Sequence, residues 1–501
     1  MRGLDLCLGS ILGYMREPIN LEPLFPDRVS GEPLGGQFLR RLRDTIRSGF
    51  FPPGSRLLPS RELAKRLGVA RNTVTSAFEQ LIAEGYLEAR LGSGTYVTAT
   101  LQDTQESRVP SRQSLPATPG RLAPVKDALE IVGSSFGALR VGAPDLSTFP
   151  IVTWQRLHRR HLARARSDLE YAEPSGLLAL REAISRHIAQ FRGVVAGSDR
   201  VIVVEGAQAA LHLTAFVVAQ GGQRVAIEDP CYQNARAIFS AHGLALHGIA
   251  VDDDGMRTSD LPDGAALAYV TPSHQFPLGG SMTLARRAQL LEWARRTNAY
   301  VVEDDYDSEF DSHPLPALQS LDSNERVIYV GTFSKTLAPR LRLGYVVAPP
   351  HLAEMFRFTR AITSLGASAH LQAVVSDFIA QGHFSRHVRR MTGVYERRRR
   401  IVLDVFAREL PIGFRVGPAQ TGLHVAVIGP IHFDDVGVAN SLINGLRVLP
   451  ISTQCVQRTD CKGLLLGFSA GTDDEIASAA RTLAAAIRAT QRPSEPGIIG
   501  R

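Results

Sequence analysis

The 501-residue chain is 44% hydrophobic and 21% charged, a composition typical of a globular protein with several domains and a large core. No stretch reaches the roughly 18 uninterrupted apolar residues of a membrane span. Four cysteines without Cys-x-x-Cys spacing fit a reducing cytoplasm, and the histidines lack metal-ligand spacing. We therefore predict a cytoplasmic protein with no membrane association and no metal site. The net charge of +7 is carried almost entirely by arginine and is weak evidence for nucleic acid by itself.

Helical periodicity begins after Glu32, and residues 32–99 are predicted to form the first domain. Three helical patterns precede two short β-rich runs that flank a glycine-containing turn. Ser60 is a candidate N-cap for the second helix, and Gly68 is a candidate stop. The predicted elements are helices over 34–48 and 61–67, a third helix opening at Arg71, and strands over 86–90 and 94–97. This order predicts a winged helix-turn-helix, an α+β domain.

The first domain also holds most of the chain's net positive charge. Between Leu34 and Ala99, ten Arg and Lys side chains stand against five Asp and Glu, which gives a net charge of +5. A concentrated positive charge is what binding to the phosphates of DNA requires. A basic adaptor for another protein is the alternative interpretation of the same pattern.

Several consecutive motifs of this domain resemble the DNA-binding domain of the GntR family of bacterial regulators. The matching stretches are residues 53–57, 59–64, 67–74, 84–87 and 92–95. The resemblance implies that the N-termini of the second and third helices face DNA and that the hairpin forms the wing. The residues it places against DNA are Arg61, Arg71, Asn72, Thr73 and Ser93.

A polar stretch over residues 100–128, rich in Pro, Ser, Thr, Gln and Arg, predicts a flexible linker. Residues 129–492 then alternate short β-rich runs with helical patterns, which predicts an α/β domain with a mostly parallel sheet. From about Arg357 the pattern becomes α+β, and a smaller C-terminal subdomain is expected. The predicted buried strands cover 201–204, 224–227, 266–270, 300–302 and 327–330.

Chemically distinctive residues follow these strands. Lys335 is one of only four lysines, stands beside small hydroxyl side chains and precedes Arg342 by seven residues. This arrangement suits an imine with an aldehyde cofactor and an anchor for its phosphate. Each other motif is weak alone, because a strand-end carboxylate is usually a solvated cap and a single Tyr is usually core. These motifs are Gly206-Ala207-Gln208, Tyr232, Asp304 with Tyr306, and Ser334.

In this order, the motifs resemble the fold-type-I pyridoxal 5'-phosphate (PLP) enzymes, which have the aspartate aminotransferase fold. The resemblance implies that Lys335 forms the internal aldimine, Asp304 pairs with the pyridine nitrogen and Tyr306 bonds the phenolic oxygen. It also implies that Tyr232 stacks on the ring. The residues expected around the phosphate are Gly206, Ala207, Gln208, Ser334 and Arg342.

Two positions depart from the catalytic pattern of such enzymes. Phe276 occupies the place of an Asn that contacts the ring oxygen, with His274 or Gln275 as candidate substitutes. Leu465 occupies the place of the arginine that anchors a substrate's carboxylate, and its neighbours Leu464 and Leu466 offer no charge either. These departures weaken the prediction of transamination more than the prediction of cofactor binding.

A GntR-type domain followed by an aminotransferase-like domain is the architecture of the MocR family of regulators, which this chain resembles. We therefore predict a dimeric, PLP-binding transcriptional regulator that senses PLP, an amine or an amino acid and binds repeated or inverted DNA half-sites. Dimerisation is implied by the resemblance, since the aminotransferase fold builds its site at a subunit interface. Two alternatives remain: a working aminotransferase with a DNA-binding head, and a regulator whose large domain has lost its cofactor.

Overall fold

The structure is a computed structural model that describes residues 21–27, 30–90, 92–99, 137, 139–163, 173–311, 314–420, 422–442 and 446–490. The chain divides into two compact units, residues 1–117 and 118–501. The division falls inside the stretch for which a linker is predicted, residues 100–128, and that stretch lies outside the described residues. None of the helices in the described ranges is long and apolar enough to cross a membrane.

The first unit has the elements predicted for a winged helix-turn-helix. They are α1 (Leu34–Arg47), α2 (Ser60–Leu67), α3 (Arg71–Ala83), β1 (Leu87–Arg90) and β2 (Gly94–Val97). The strands pair antiparallel, with Leu87 opposite Val97. Gly68 ends α2 with φ of +63°, as predicted. The N-cap prediction for Ser60 is wrong: Ser60 is the first helical residue, because Pro59, with its fixed φ, takes the capping position.

The core of the first unit gathers the apolar faces of its three helices. Phe38 and Leu42 of α1 meet Val74 and Leu81 of α3, and all four are fully buried. Leu21 and Leu24, which precede residue 32, belong to the same cluster. The folded unit therefore includes residues ahead of the periodic pattern.

The second unit is built on a mixed eight-stranded sheet in which the central strands run parallel. Its strands are β3 (Val201–Val204), β4 (Arg224–Asp229), β5 (Ala245–Asp252), β6 (Gly255–Met256), β7 (Ala265–Val270), β8 (Tyr300–Asp305), β9 (Val327–Thr332) and β10 (Gly344–Val347). Their order is β3-β10-β9-β8-β7-β4-β5-β6, with β10 antiparallel to both neighbours. The sequence pattern did not predict β5, which is only half-buried, or β10, which is as short as the predicted strand β3.

Helices cover this sheet, and a smaller antiparallel sheet follows it along the chain. The helices are α4 (Ile151–Leu162), α5 (Leu178–Arg192), α6 (Ala207–Val218), α7 (Gln233–Ala241), α8 (Leu284–Thr297), α9 (Leu318–Leu321), α10 (Ala353–Thr363), α11 (Ala369–Ala380), α12 (His383–Glu409), α13 (Asp435–Ser441) and α14 (Asp473–Thr490). The second sheet orders β11 (Arg415–Val416), β12 (His424–Ile428), β14 (Gly463–Gly467) and β13 (Leu449–Pro450). The predicted α/β domain with an α+β C-terminal part is confirmed.

Candidate functional site

A cavity of about 280 Å³ lies where the parallel strands β4, β7, β8 and β9 end. Ligand sites in α/β sheets form at this edge because successive strands deliver their following loops to it. The lining includes all but one of the residues predicted to hold the cofactor: Ala207, Gln208, Tyr232, Asp304, Tyr306, Ser334, Lys335 and Arg342. Gly206 lies just behind the wall, where a Cβ would lie 3.5 Å from the Arg342 guanidinium.

Asp304 is a buried carboxylate with one oxygen left over. The Tyr269 hydroxyl donates to its Oδ2 at 2.8 Å, whereas Oδ1 is buried and has no hydrogen-bond partner. Burial raises the pKa of Asp304 to about 6, and the charge of Asp305 adds to the effect. A buried acceptor without a donor is unfavourable. The protonated nitrogen of a pyridine ring is a donor of the kind this oxygen lacks, so the residue fits PLP.

Lys335 lies in the turn after β9 and reaches into the same cavity. Its Nζ donates to the Gly142 carbonyl at 2.8 Å. Burial lowers the pKa of Lys335, although the charges of Asp307 and Asp304 act in the opposite direction. A lower pKa favours the neutral amine, which is the form that attacks an aldehyde.

The other end of the cavity is suited to a phosphate. Gly206 is the N-cap of α6 with φ of +86°, a conformation that favours glycine, and Gln208 is in the first turn. The first N–H groups of a helix attract anions. Arg342, held in the left-handed region after β9, and Ser334 complete this group of donors.

Tyr306 is linked to a buried cluster of two histidines and an aspartate. Its hydroxyl donates to the His274 carbonyl at 2.8 Å and lies 3.2 Å from His274 Nδ1. The same Nδ1 is 2.9 Å from Asp307 Oδ2, and the His274 ring stacks on His424 at 4.2 Å. Burial raises the pKa of Tyr306 well above its usual value, so the phenol stays protonated.

Neither of the two candidate substitutes for the missing Asn is among the residues that line the cavity, and their substitution stays a prediction. His274 is the one that contacts Tyr306, while the Gln275 amide donates to the carbonyls of Pro230 and Phe276. Sequence reasoning missed His424, which lines the cavity. No motif marks His424, and it follows Phe276 by 148 positions, so its place at the site depends on the fold. His274, Asp307 and His424 bring ligand-type atoms within 4.8 Å, a grouping that sequence spacing did not reveal.

Tyr232 lines the cavity, and Leu465 lies next to residues that line it. The Tyr232 hydroxyl accepts from Asn234 Nδ2 at 2.9 Å, and its ring meets Phe276 edge-on at 5.6 Å. Its stacking on a cofactor ring stays a prediction. Leu465 is fully buried on β14 and packs with Val141 and Phe276, which line the cavity. The position therefore lies under the cavity wall but supplies no charge.

Asp229, at the end of β4, fastens a distant loop to the sheet. Its carboxylate accepts the backbone N–H groups of Val456 at 2.9 Å, Gln457 at 2.8 Å and Arg458 at 3.0 Å. Three N–H donors on one carboxylate satisfy a buried charge without a cation. This loop begins just after Gln454, which lines the cavity.

In the first unit, the predicted DNA-contacting residues are mostly exposed at helix starts and in the hairpin turn. Arg61 opens α2, Arg71 and Asn72 open α3, and all three are exposed. Thr73 is half-buried, with its methyl group 3.7 Å from where a Cβ on Gly35 would lie. Ser93 is exposed in the hairpin turn, 2.6 Å from the Tyr96 hydroxyl.

The charges of this unit are divided between paired and unpaired arginines. Glu62 pairs with Arg66, Glu84 with Arg43 and Glu88 with Arg90. Arg61, Lys65 and Arg71 form no ion pair with any residue that the structure describes. Arg61 and Lys65 of α2 and Arg71 of α3 are therefore available for phosphates.

These features define a class of protein: a winged helix-turn-helix joined to a unit of the aminotransferase fold. The family model described as "Aminotransferase class I and II" matches residues 138–483, and the model "Bacterial regulatory proteins, gntR family" matches residues 36–97. The aminotransferase class I and II fold family is PLP-dependent. Among solved structures, kynurenine aminotransferase of Pyrococcus horikoshii is similar, with a TM-score of 0.68 and 26% identity, covering 79% of this chain and all of that one.

Full-length relatives narrow the class to a family. The probable rhizopine catabolism regulatory protein MocR of Rhizobium meliloti is 36% identical, across 89% of this chain and 92% of that protein. The HTH-type pyridoxine biosynthesis transcriptional regulator PdxR of Corynebacterium glutamicum is 30% identical, across 92% of this chain and 96% of that protein. The chain belongs to the MocR family of HTH-type transcriptional regulators.

Proposed function

We propose that the protein is a PLP-binding, sequence-specific transcriptional regulator whose aminotransferase-like unit senses PLP, an amine or an amino acid. The observation that carries the cofactor assignment is the buried, partnerless Oδ1 of Asp304 in the same cavity as the Lys335 amine. When bound, PLP supplies an aldehyde that can link covalently to an amine. Asp304 would hold the ring nitrogen, Tyr306 the phenolic oxygen, and Ser334, Arg342 and the start of α6 the phosphate.

The first unit supports the DNA-binding half of the proposal. Arg61 and Arg71 are exposed at helix N-termini and have no acidic partner among the described residues. In a helix-turn-helix the second helix of the motif enters the major groove by its N-terminal residues. We therefore expect Arg71 and Asn72 to reach base edges, and we expect Arg61, Thr73 and Ser93 to contact the DNA backbone.

A homodimer is part of the proposal, and α10 supports it. Met355, Phe358 and Ile362 on α10, with Leu365 just after it, repeat at helical spacing and are all more than half exposed. An exposed apolar stripe of this kind indicates an interface. A second copy of the chain is the partner expected to cover it.

Trapping the cofactor tests the proposal directly. The protein loaded with PLP should carry, after borohydride reduction, one covalent adduct on Lys335, read by peptide mass. Lys335→Ala should abolish the adduct, and Lys462→Ala should keep it because Lys462 does not line the cavity. A full adduct in Lys335→Ala would contradict the assignment, as would the absence of any adduct in the wild type.

A working aminotransferase is the second candidate, favoured by the similarity to solved aminotransferases. Buried leucines at 464–466 stand against it, since none of them can hold a substrate carboxylate. Multiple turnover with amino donors and keto acids would establish the enzyme. Binding without turnover, together with an altered affinity for operator DNA, would establish the sensor.

A further inference from the structure

The part of the cavity not assigned to the cofactor is polar but carries little charge. Among the described residues that line it, the cationic side chains are Lys335 and Arg342, and both have proposed roles at the aldehyde and the phosphate. The remaining polar lining consists of amides, hydroxyls and one imidazole. Apart from the residues already assigned to the cofactor, it includes Gln233, Asn234, Tyr269, Thr271, Thr332, His424 and Gln454.

Gln454 presents a hydrogen-bond acceptor to this space. Its side chain is 1% exposed, and its Nε2 donates to Thr453 Oγ1 at 2.9 Å. The Thr453 hydroxyl itself donates to the Pro450 carbonyl at 2.8 Å, so it can only accept from Gln454. The amide is thereby oriented with Oε1 left for a ligand. Its backbone is fixed as well, because the Cys231 N–H donates to the Gln454 carbonyl at 3.0 Å.

His424 is a second acceptor. Its Nε2 is buried and has no partner, and the ring also bonds the backbone of Pro277. Proline has no N–H, so the Pro277 carbonyl accepts and His424 Nδ1 carries the proton. Burial, the neighbouring His274 and the charge of Lys335 all lower the pKa of His424 well below its usual value. The imidazole is therefore neutral and offers a lone pair on Nε2.

Asn234 adds a third acceptor to the same lining. Its Nδ2 donates to the Tyr232 hydroxyl at 2.9 Å, and Oδ1 accepts no hydrogen bond from the residues that the structure describes. A ligand that fills this space meets these acceptors, and both cations of the described lining are already assigned. Arg140 lies outside that lining, although its charge acts on Lys335. A carboxylate buried among the acceptors would face their lone pairs and would need a cation from outside the lining. A hydroxyl would donate to them.

We propose that the effector read by this cavity is a small amine whose other polar groups are hydroxyls, and not an α- or ω-amino acid. The inference rests on the proposed function and narrows its effector to an amino alcohol or amino polyol. Gln454, His424 and Asn234 are then the residues that determine specificity, since they accept the hydrogen bonds of the ligand. A ligand without a carboxylate needs no anchoring arginine, which agrees with the leucine at position 465.

A matched pair of ligands tests the proposal in the PLP-loaded, full-length protein. 3-Aminopropan-1-ol and β-alanine share the amine and the carbon chain and differ in having a hydroxyl or a carboxylate. Calorimetry should show the alcohol binding at least about tenfold more tightly. The alcohol alone should also shift the affinity for operator DNA. Equal or tighter binding of β-alanine, or binding of neither ligand, would overturn the inference.

Two variants make the result specific to the residues named. Gln454→Met removes one of the three acceptors at similar volume and should lower the affinity for 3-aminopropan-1-ol toward that for propylamine, which has no hydroxyl. Propylamine should bind the variant and the wild type alike. If β-alanine binds the wild type tightly and Arg140→Gln abolishes that binding, Arg140, next to Val141 of the lining, is the carboxylate anchor and the proposal is wrong. If borohydride reduction of the PLP-loaded protein gives no adduct on Lys335, the proposed function itself is contradicted. That test uses no effector ligand, so its outcome is separate from the outcome of the ligand comparison.

Discussion

Arg71 and Asp304 carry charges on which the two proposed sites depend, and the protein places them in opposite environments. Arg71 is exposed at the start of α3 and forms no ion pair with described residues, whereas Asp304 is buried at the end of β8 with one hydrogen bond. An exposed, unpaired cation costs the fold little and is ready for phosphate. A buried carboxylate with a partnerless oxygen destabilises the fold until a donor arrives. The first site is therefore ready-made, and the second gains stability from its ligand.

The largest effect is expected from neutralising Asp304 in the cofactor-free protein. Its folded pKa of about 6 is raised from the ordinary value of 3.8. A raised carboxyl pKa favours the folded state at low pH, and that advantage is lost as the pH rises from about 4 to about 6. The shift corresponds to about 3 kcal/mol. Because an amide does not titrate, Asp304→Asn should gain about this much in unfolding free energy, relative to wild type, between pH 4 and pH 7.

Denaturant unfolding at a series of pH values measures this difference. Asp253→Asn, which changes an exposed carboxylate, is the matched control. If the difference in unfolding free energy between Asp304→Asn and wild type does not change with pH, then the buried Asp304 carboxylate does not destabilise the fold as argued. Saturation with PLP should reduce the difference or reverse its sign, because the wild-type carboxylate then gains a donor.

An intermediate effect is expected at Arg71. Arg71→Ala should weaken operator binding by about 1–3 kcal/mol if the side chain reads a base, with relaxed specificity at one position. Arg66→Ala is the control, because Arg66 is held by Glu62 on α2 and is less available to DNA. Fluorescence anisotropy with operator and scrambled duplexes measures both. If both variants lose the same operator affinity, then exposure and ion pairing do not determine which arginines of this unit contact DNA.

The smallest effect concerns salt. Arg61→Ala should lower the slope of log affinity against log salt by about one, while leaving sequence preference unchanged. Gel-shift titrations over a range of salt concentrations give the slope. A change in sequence preference instead would move Arg61 from phosphate contact to base contact and sharpen the description of the surface.

The same contrast explains how much could be predicted from the sequence. The residues predicted to contact DNA lie within 33 positions, from Arg61 to Ser93, and their local motifs predicted the elements almost to the residue. At the cofactor cavity, the strand-end order predicted Asp304, Tyr306 and Lys335, because parallel strands end at one edge. His424 and Gln454 belong to the second sheet and the loop beside it. Only the folding of that sheet brings them to the cavity, and no local spacing records it.

Ser60 and β10 are two places where prediction from the sequence failed for a single element. Ser60 is a good capping residue by type, but the preceding proline already fixes the backbone where the helix starts. The four residues of β10 were not predicted as a strand although the equally short β3 was, and they run antiparallel between β3 and β9. Such short strands are determined by their neighbours more than by their own residues.

The attachment of the loop after Gln454 to Asp229 has a consequence for how a signal can leave the cavity. Three backbone N–H groups converge on a carboxylate that terminates a strand of the large sheet, so this stretch of the C-terminal part cannot swing away unless all three bonds break together. A movement of this stretch away from the sheet would also leave the Asp229 carboxylate without its three donors, which is unfavourable for a buried charge. The cavity wall at Gln454 is therefore expected to move less than walls without such an attachment.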